Sequence, residues 1–304
     1  MKPLAINGKK IADIPSKWDE LSPAQIRAVC QLSTSAMSEF DFKVKLFLIT
    51  TGLTLEQREP QAIINGGEKE DLYFFNGRRT GRVLLSSWQL EFIFREYDFL
   101  FSHHKNTSVI ESRLVKNPWP VLNPKAAVPL YGPSAALFNI TLAEFIRAET
   151  LYDQIISSPD GETVDKFNAV LYRPRDKGAD TSDPMFSGDI RQKFNDHLVD
   201  RNTSLTASLS LWQKIYIRLF YDGCRAFIIH KHPNAFSATG SNAQGEPKTV
   251  FEGFISLVTA LSDNDATRAA RLRDTLAWDV FPILEALAIQ EKKLKELKHN
   301  KPVY

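Results

Sequence analysis

Arg78, Arg79 and Arg82 fall within five positions of one another, beside Gly77 and Gly81. A guanidinium cluster of that density suits a phosphate or carboxylate, because each planar fork donates two parallel N–H bonds. The three arginines are therefore the candidate anion-binding site, although charge at an exposed turn also serves solubility alone. Two histidine groups come next: His103-His104, close after Glu96 and Asp98, and the triplet His230-Lys231-His232. A zinc site needs ligands that converge on one point. Adjacent side chains on a helix diverge, and histidines at a helix end suit the negative pole of its dipole. Asp176, Asp180, Asp183 and Asp189 offer oxygen ligands, without the alternating spacing and closing glutamate of a calcium loop. Arg173 and Arg175 beside Tyr172 suit an anion, or simply a helix that stops before Pro174. The chain lacks the Gly-x-x-x-x-Gly-Lys, Gly-x-Gly-x-x-Gly, Gly-x-Ser-x-Gly and His-Glu-x-x-His patterns. The expectation is no catalytic residue, no metal, no cofactor and no enzyme activity.

The bulk composition points the same way. Lys plus Arg number 38 against 36 Asp plus Glu. A net charge of +2 gives little of the phosphate neutralisation on which nucleic-acid affinity rests. Cys30 and Cys224 stand far apart and read as small buried hydrophobes rather than a disulfide. The first ten residues carry no continuous apolar run, and nowhere do 18 apolar residues follow one another. These features predict a cytoplasmic protein without a membrane span.

The elements that must position these side chains are mostly helices, and the sequence predicts a mainly α fold. It is an irregular multi-helix bundle with a small N-terminal β element and a β-hairpin near 71–86. Residues 3–14 read as two strands about Asn7-Gly8. Ser22 before Pro23 caps a helix over 23–33 with Ile26, Val29 and Cys30 on its apolar face. A second helix over 38–51 carries Phe42, Leu46 and Ile49 and ends at Gly52. After the hairpin, Ser86 or Ser87 caps a helix whose core stripe is Leu90, Phe94, Tyr97 and Phe101.

Prolines 118, 120, 124, 129 and 133 make the next segment an extended strap held by Trp119 and Tyr131. Thr141 and Glu144 then form a capping box for a helix reaching Pro159, with Leu142, Phe145, Ile146, Tyr152 and Ile155 buried. Further helices are expected over 161–172, from Ile190 through Leu198, and over 205–229, where the apolar residues lie on nearly every side. A loop over 173–188 separates the first two. Residues 233–248 have linker composition, and three helices near 249–261, 265–277 and 279–298 follow. The implied regions are 1–116 (α+β, with the hairpin), 117–232 (central helical), 233–248 (linker) and 249–304 (C-terminal helical).

On the last helix Ile283, Leu287, Leu294 and Leu297 recur at four-and-three spacing, with Gln290 in the seam. The stripe packs against the protein's own helices or docks onto a partner helix, and these four residues are the candidate partner-binding set. Five lysines between Lys292 and Lys301 suit a solvated face or the C-terminal pole of the dipole.

Several motifs carry a resemblance: Ile14-Pro15 with Trp18-Asp19-Glu20-Leu21, Asn117-Pro118-Trp119-Pro120, Tyr131-Gly132-Pro133, Asn139-Ile140-Thr141 with Glu144-Phe145 and Ala148-Glu149, and Leu171-Tyr172-Arg173-Pro174. Across residues 14–175 the chain resembles tail-module proteins of Bacteroidetes phages and prophages. The resemblance implies a role in particle assembly and no reaction. One such role is a tail assembly chaperone that covers a tape-measure-like helical client in the bacterial cytoplasm. The other is a structural subunit of neck, tail or baseplate that stays in the virion. In both, the partners are other phage tail or particle proteins. A third reading, from another class, keeps a metal-dependent enzyme or nucleic-acid binder built on the arginine tip or His103-His104.

Overall fold

Local capping decides where most helices begin. The computed structural model describes residues 1–6, 8–63, 69–78, 81–104, 107–124, 128–179, 181–182, 188–237, 258–259, 261–263 and 265–299. These fall into two compact units, divided between Leu114 and Val115. The fold is mainly helical, with small antiparallel strand pairs.

In the first unit β1 (Lys2–Ile6) pairs antiparallel with β2 (Lys9–Ile14). Asn7, expected in their turn, lies outside the described residues. Helix α1 (Pro23–Leu32) starts on a Ser22–Gln25 capping box and buries Ile26, Val29 and Cys30. Helix α2 (Glu39–Thr51) starts on Ser38 and stops at Gly52, whose φ of 68° is the left-handed geometry that glycine takes without steric cost. Its buried side runs through Phe42, Leu46 and Phe47, while Ile49, expected on it, is exposed. The predicted hairpin is β4 (Lys69–Gly77) with β5 (Gly81–Ser86). A strand the sequence did not announce, β3 (Thr54–Ile63), completes a sheet in the order β3-β4-β5.

Helix α3 (Ser87–Phe94) begins on a Ser86–Gln89 capping box and tightens into a 3-10 segment over Arg95–Leu100. The chain then turns extended: β6 (Phe101–His104) pairs with β7 (Thr107–Ile110). The helix expected to run through Phe101 therefore ends earlier, and His103-His104 lie on a strand. Phe47 holds this core together, meeting Phe75 of the sheet at 5.6 Å and Phe94 of α3 at 6.0 Å, both edge-on.

The second unit opens with the extended proline strap, which contributes the short pair β8 (Val121–Leu122) and β9 (Leu130–Tyr131). Helix α4 (Leu142–Ser157) starts on the predicted Thr141–Glu144 box, and α5 (Gly161–Leu171) follows from an Asp160 cap. Residues 190–194, expected to be helical, are extended instead. The Asp176 N–H donates to the Ile190 carbonyl at 2.9 Å, and the Gln192 N–H donates to that of Pro174 at 2.8 Å. Helix α6 (Asp196–Ala207) starts only at its Asn195 cap.

The single helix expected over 205–229 is broken at Ser208-Leu209-Ser210, because Ser210 and Gln213 form a capping box that starts α7 (Leu211–Lys231). That helix is not buried all round either: Tyr216, Phe220, Tyr221 and Cys224 are covered, while Leu211 is exposed. Where a linker was expected, Pro233–Ser237 form a short helix, α8. The Glu285 carboxylate accepts hydrogen bonds from the Asn234 side chain and the Ala235 N–H, and both Ala235 and Phe236 are buried. Residues 238–257 lie outside the described residues. Helices α9 (Ala266–Asp274) and α10 (Ala277–His299) end the unit. The start of α10 is tied to the start of α4 by Leu142 N–H to the Thr275 carbonyl and Ala277 N–H to the Ile140 carbonyl, both 2.9 Å.

Candidate functional site

The last helix presents two apolar stripes. Val280, Phe281, Leu284 and Ala288 are buried. Phe281 meets Phe145 of α4 at 5.0 Å and Phe236 of α8 at 5.9 Å. The predicted set lies beside this stripe: Ile283 is 48% exposed, Leu294 58% and Leu297 66%, with Leu287 half-buried. Beyond Ala288 every described side chain of α10 is exposed. The expected packing of this stripe on the protein's own helices is thus made by a different set of residues, and Ile283, Leu294 and Leu297 face water. Lys292 and Lys293 are exposed beside them.

The arginine tip does not gather in the same way. Arg82 lies 3.4 Å from Glu56 and over the Phe74 ring at 5.1 Å, and the Asn76 amide donates to Glu56 at 2.8 Å. Arg78 is exposed, beside a surface depression lined by Thr54 and Asn76. Arg79 lies outside the described residues.

Several of the ligand-type residues are held by neighbours. Glu96 pairs with Lys2 at 2.9 Å and Asp98 with Lys43 at 2.6 Å. His103 Nδ1 lies 3.1 Å from the Ser108 hydroxyl. His232 packs against the Trp278 and Phe281 rings. Burial lowers its pKa, against the pull of Glu285 and together with Lys231. Asp176 accepts from the Gly178 N–H and Asp189 grips Arg191, whereas Asp180 and Asp183 lie outside the described residues. Among the described residues no three His, Cys, Asp or Glu side chains gather to hold a metal ion.

Arg173, weighed above as an anion ligand, is buried in an internal ion network. Its guanidinium pairs with Glu144 and donates to the Gln192 carbonyl at 2.7 Å. Arg191 reaches the second Glu144 oxygen at 3.5 Å, holds Asp189 at 2.8 Å and donates to the carbonyls of Leu171 and Asn139. Burial, reinforced by the neighbouring Arg191, pushes the Arg173 pKa down to about 10, against the attraction of Glu144. The group stays charged at neutral pH. One turn along α4, the fully buried Glu149 accepts from the Tyr221 hydroxyl at 2.7 Å and Arg225 Nε at 2.8 Å. Such networks hold elements together and offer no free charge to a ligand.

The motifs of the Asn117–Arg175 segment converge here too. The Asn117 side chain donates to the Pro133 carbonyl at 2.7 Å and accepts from the Trp119 N–H at 3.1 Å and the Tyr216 hydroxyl at 2.6 Å. The Tyr172 hydroxyl lies 2.9 Å from the Trp119 carbonyl. Backbone bonds in both directions join Tyr131 and Arg173. These motifs build the framework of the second unit.

Sequence reasoning missed an exposed aromatic pair on α3. Trp88 and Phe92 stack at 6.4 Å, are 67% and 63% exposed, and carry Arg95 over the Phe92 ring. Their i, i+4 spacing opposite the buried Leu90 and Phe94 was the available signal. Among the described residues no helix is long and apolar enough to cross a membrane. Comparison with protein-family models, curated proteins and solved structures found no match.

Proposed function

We propose that this chain is a non-enzymatic phage assembly protein, a tail assembly chaperone that binds a long helical client of tape-measure type through the outer stripe of α10. The observation that carries the reading is the uncovered apolar set Ile283, Leu294 and Leu297 on a helix whose neighbouring stripe already packs into the core. An amphipathic client helix recognises such a row by inserting apolar residues at matching turns. The exposed Lys292 and Lys293 favour a client with acidic residues flanking its seam. The resemblance of residues 14–175 to phage tail-module proteins supports the biological setting.

The test is co-purification. The tagged chain, expressed with its phage or prophage, is recovered from lysate and from purified particles, and co-eluting proteins are identified by mass spectrometry. Recovery of a very long coiled-coil protein with the wild type, its loss with Leu294→Asp/Leu297→Asp, and absence from particles are the expected results. Presence in particles at fixed stoichiometry would replace this reading with that of a virion subunit.

A further inference from the structure

The outer stripe of α10 is interrupted once. Ile283, Leu287, Leu294 and Leu297 keep four-and-three spacing only if Gln290 stands in the seam between them. Gln290 is exposed, as are its apolar neighbours Ile283 and Leu294. One flank of this seam is closed by the protein itself, because Leu284 and Ala288 pack into the core. Helical geometry places Ala286 and Lys293 on the other flank, and both are exposed. Glu296, also exposed, stands further round the helix. Lys293 has no ion-pair partner among the described residues. The open side of the seam is thus marked by one amide and one uncommitted cation.

These two residues argue against a second copy of the chain as the occupant. When two such helices pair antiparallel, the first seam position of the repeat faces the second. Gln290 would then lie against Leu287 or Leu294 of the other copy. An amide sealed against leucine loses water and gains no hydrogen bond. When the helices pair parallel, Gln290 meets Gln290, but Lys293 is brought to position 298 of the other copy, a lysine by sequence. Like charges on the flanks of a seam weaken the pairing. A helix of different sequence avoids both penalties.

We propose that Gln290 and Lys293 select the partner of α10. That partner is an α-helix of another protein whose leucine-type seam is interrupted once by an amide side chain opposite Gln290, with acidic residues on the flank that meets Lys293. Two facing amides exchange a donor and an acceptor, and a carboxylate beside Lys293 completes the charge pairing on the open flank. The inference rests on the client reading above and narrows it. A long coiled-coil client repeats its apolar seam many times, but only segments with such an amide dock on α10.

The experiment uses the full-length protein and fluorescein-labelled three-heptad peptides, with glutamate on both flanks of the seam so that they do not pair with themselves. One has leucine throughout its seam. Two others carry a single central glutamine, at the first or at the second seam position of the repeat, for antiparallel or parallel docking. Fluorescence anisotropy is expected to show one glutamine peptide binding about tenfold tighter than the all-leucine peptide, as for a buried amide that gains its partner. Gln290→Leu should invert that order. Lysine in place of glutamate on the peptide flanks should weaken binding about threefold, the scale of an exposed pair, and Lys293→Glu should reverse that preference. Both positions are exposed, so both variants fold as the wild type does. Equal binding of all the peptides leaves the client reading standing and overturns the selection by Gln290 and Lys293. No binding of any peptide overturns both. Self-association of the wild type in sedimentation velocity, lost with Leu294→Asp/Leu297→Asp, would make the occupant a second copy and overturn the proposal as well.

Discussion

The phenol ring of Tyr172 occupies the space in which a side chain on residue 132 would begin. A Cβ built on Gly132 would stand 2.7 Å from the Tyr172 hydroxyl oxygen and closer still to Cε1 and Cζ. Tyr172 is fully buried and Arg173 is bonded on both sides to Tyr131, so neither chain can yield. Gly132→Ala is expected to destabilise the second unit by about 2–3 kcal/mol, as overpacking does. Urea denaturation checks the value, and pairing it with Tyr172→Leu should recover part of the loss in a double-mutant cycle.

Glu144 faces two buried guanidiniums, Arg173 and Arg191. Glu144→Gln keeps a capping-box residue at the third helical position and removes the charge. Leaving two buried cations with only Asp189 beside them is expected to cost about 3–5 kcal/mol. Equilibrium unfolding that shifted by less than about 1 kcal/mol, the scale of a surface pair, would show that the network is solvated.

The two stripes of α10 predict opposite outcomes for the same chemical change. Leu284→Ala, fully buried, should lower stability by about 2–5 kcal/mol. Leu294→Ala, 58% exposed, should stay within about 0.5 kcal/mol of the wild type. Thermal melts of the two variants side by side make the comparison, and a large loss at Leu294 would place it in a core.

His232 adds a pH dependence. Burial against Trp278 and Phe281 sets its folded pKa below the ordinary histidine value of 6.5. The unfolded chain therefore takes up the proton first, and stability falls as pH drops below 6.5, levelling off below the folded pKa. Glu285 opposes the shift and Lys231 reinforces it. His232→Phe should flatten this part of the stability profile between pH 7.5 and 5, as followed by circular dichroism melts. An unchanged slope would assign the pH dependence to other groups.

Features set by neighbours in sequence were legible. The Ser22–Gln25 and Thr141–Glu144 boxes start α1 and α4 where the residue types require, because both partners lie within one turn. Gly52 ends α2 for the same kind of local reason. β3 was not legible, since Thr-Leu-Glu-Gln-Arg-Glu-Pro-Gln alternates no apolar face and is a strand through its pairing with β4. The break between α6 and α7 was masked by the apolar run on both sides of Ser210.

The sequence by itself determined that the chain is mainly helical, where most helices start, and that α10 carries apolar residues at helical spacing. Which of those residues meet the core was decided only in three dimensions. A helix with apolar residues around much of its circumference has more than one face it can bury. The contacts of Phe281 with Phe145 and Phe236 select one of them and leave Ile283, Leu294 and Leu297 in water. The same holds for Arg173. Its position before Pro174 is local, but its partners Glu144 and the Gln192 carbonyl come from distant segments, and their approach turns a possible anion ligand into an internal tie.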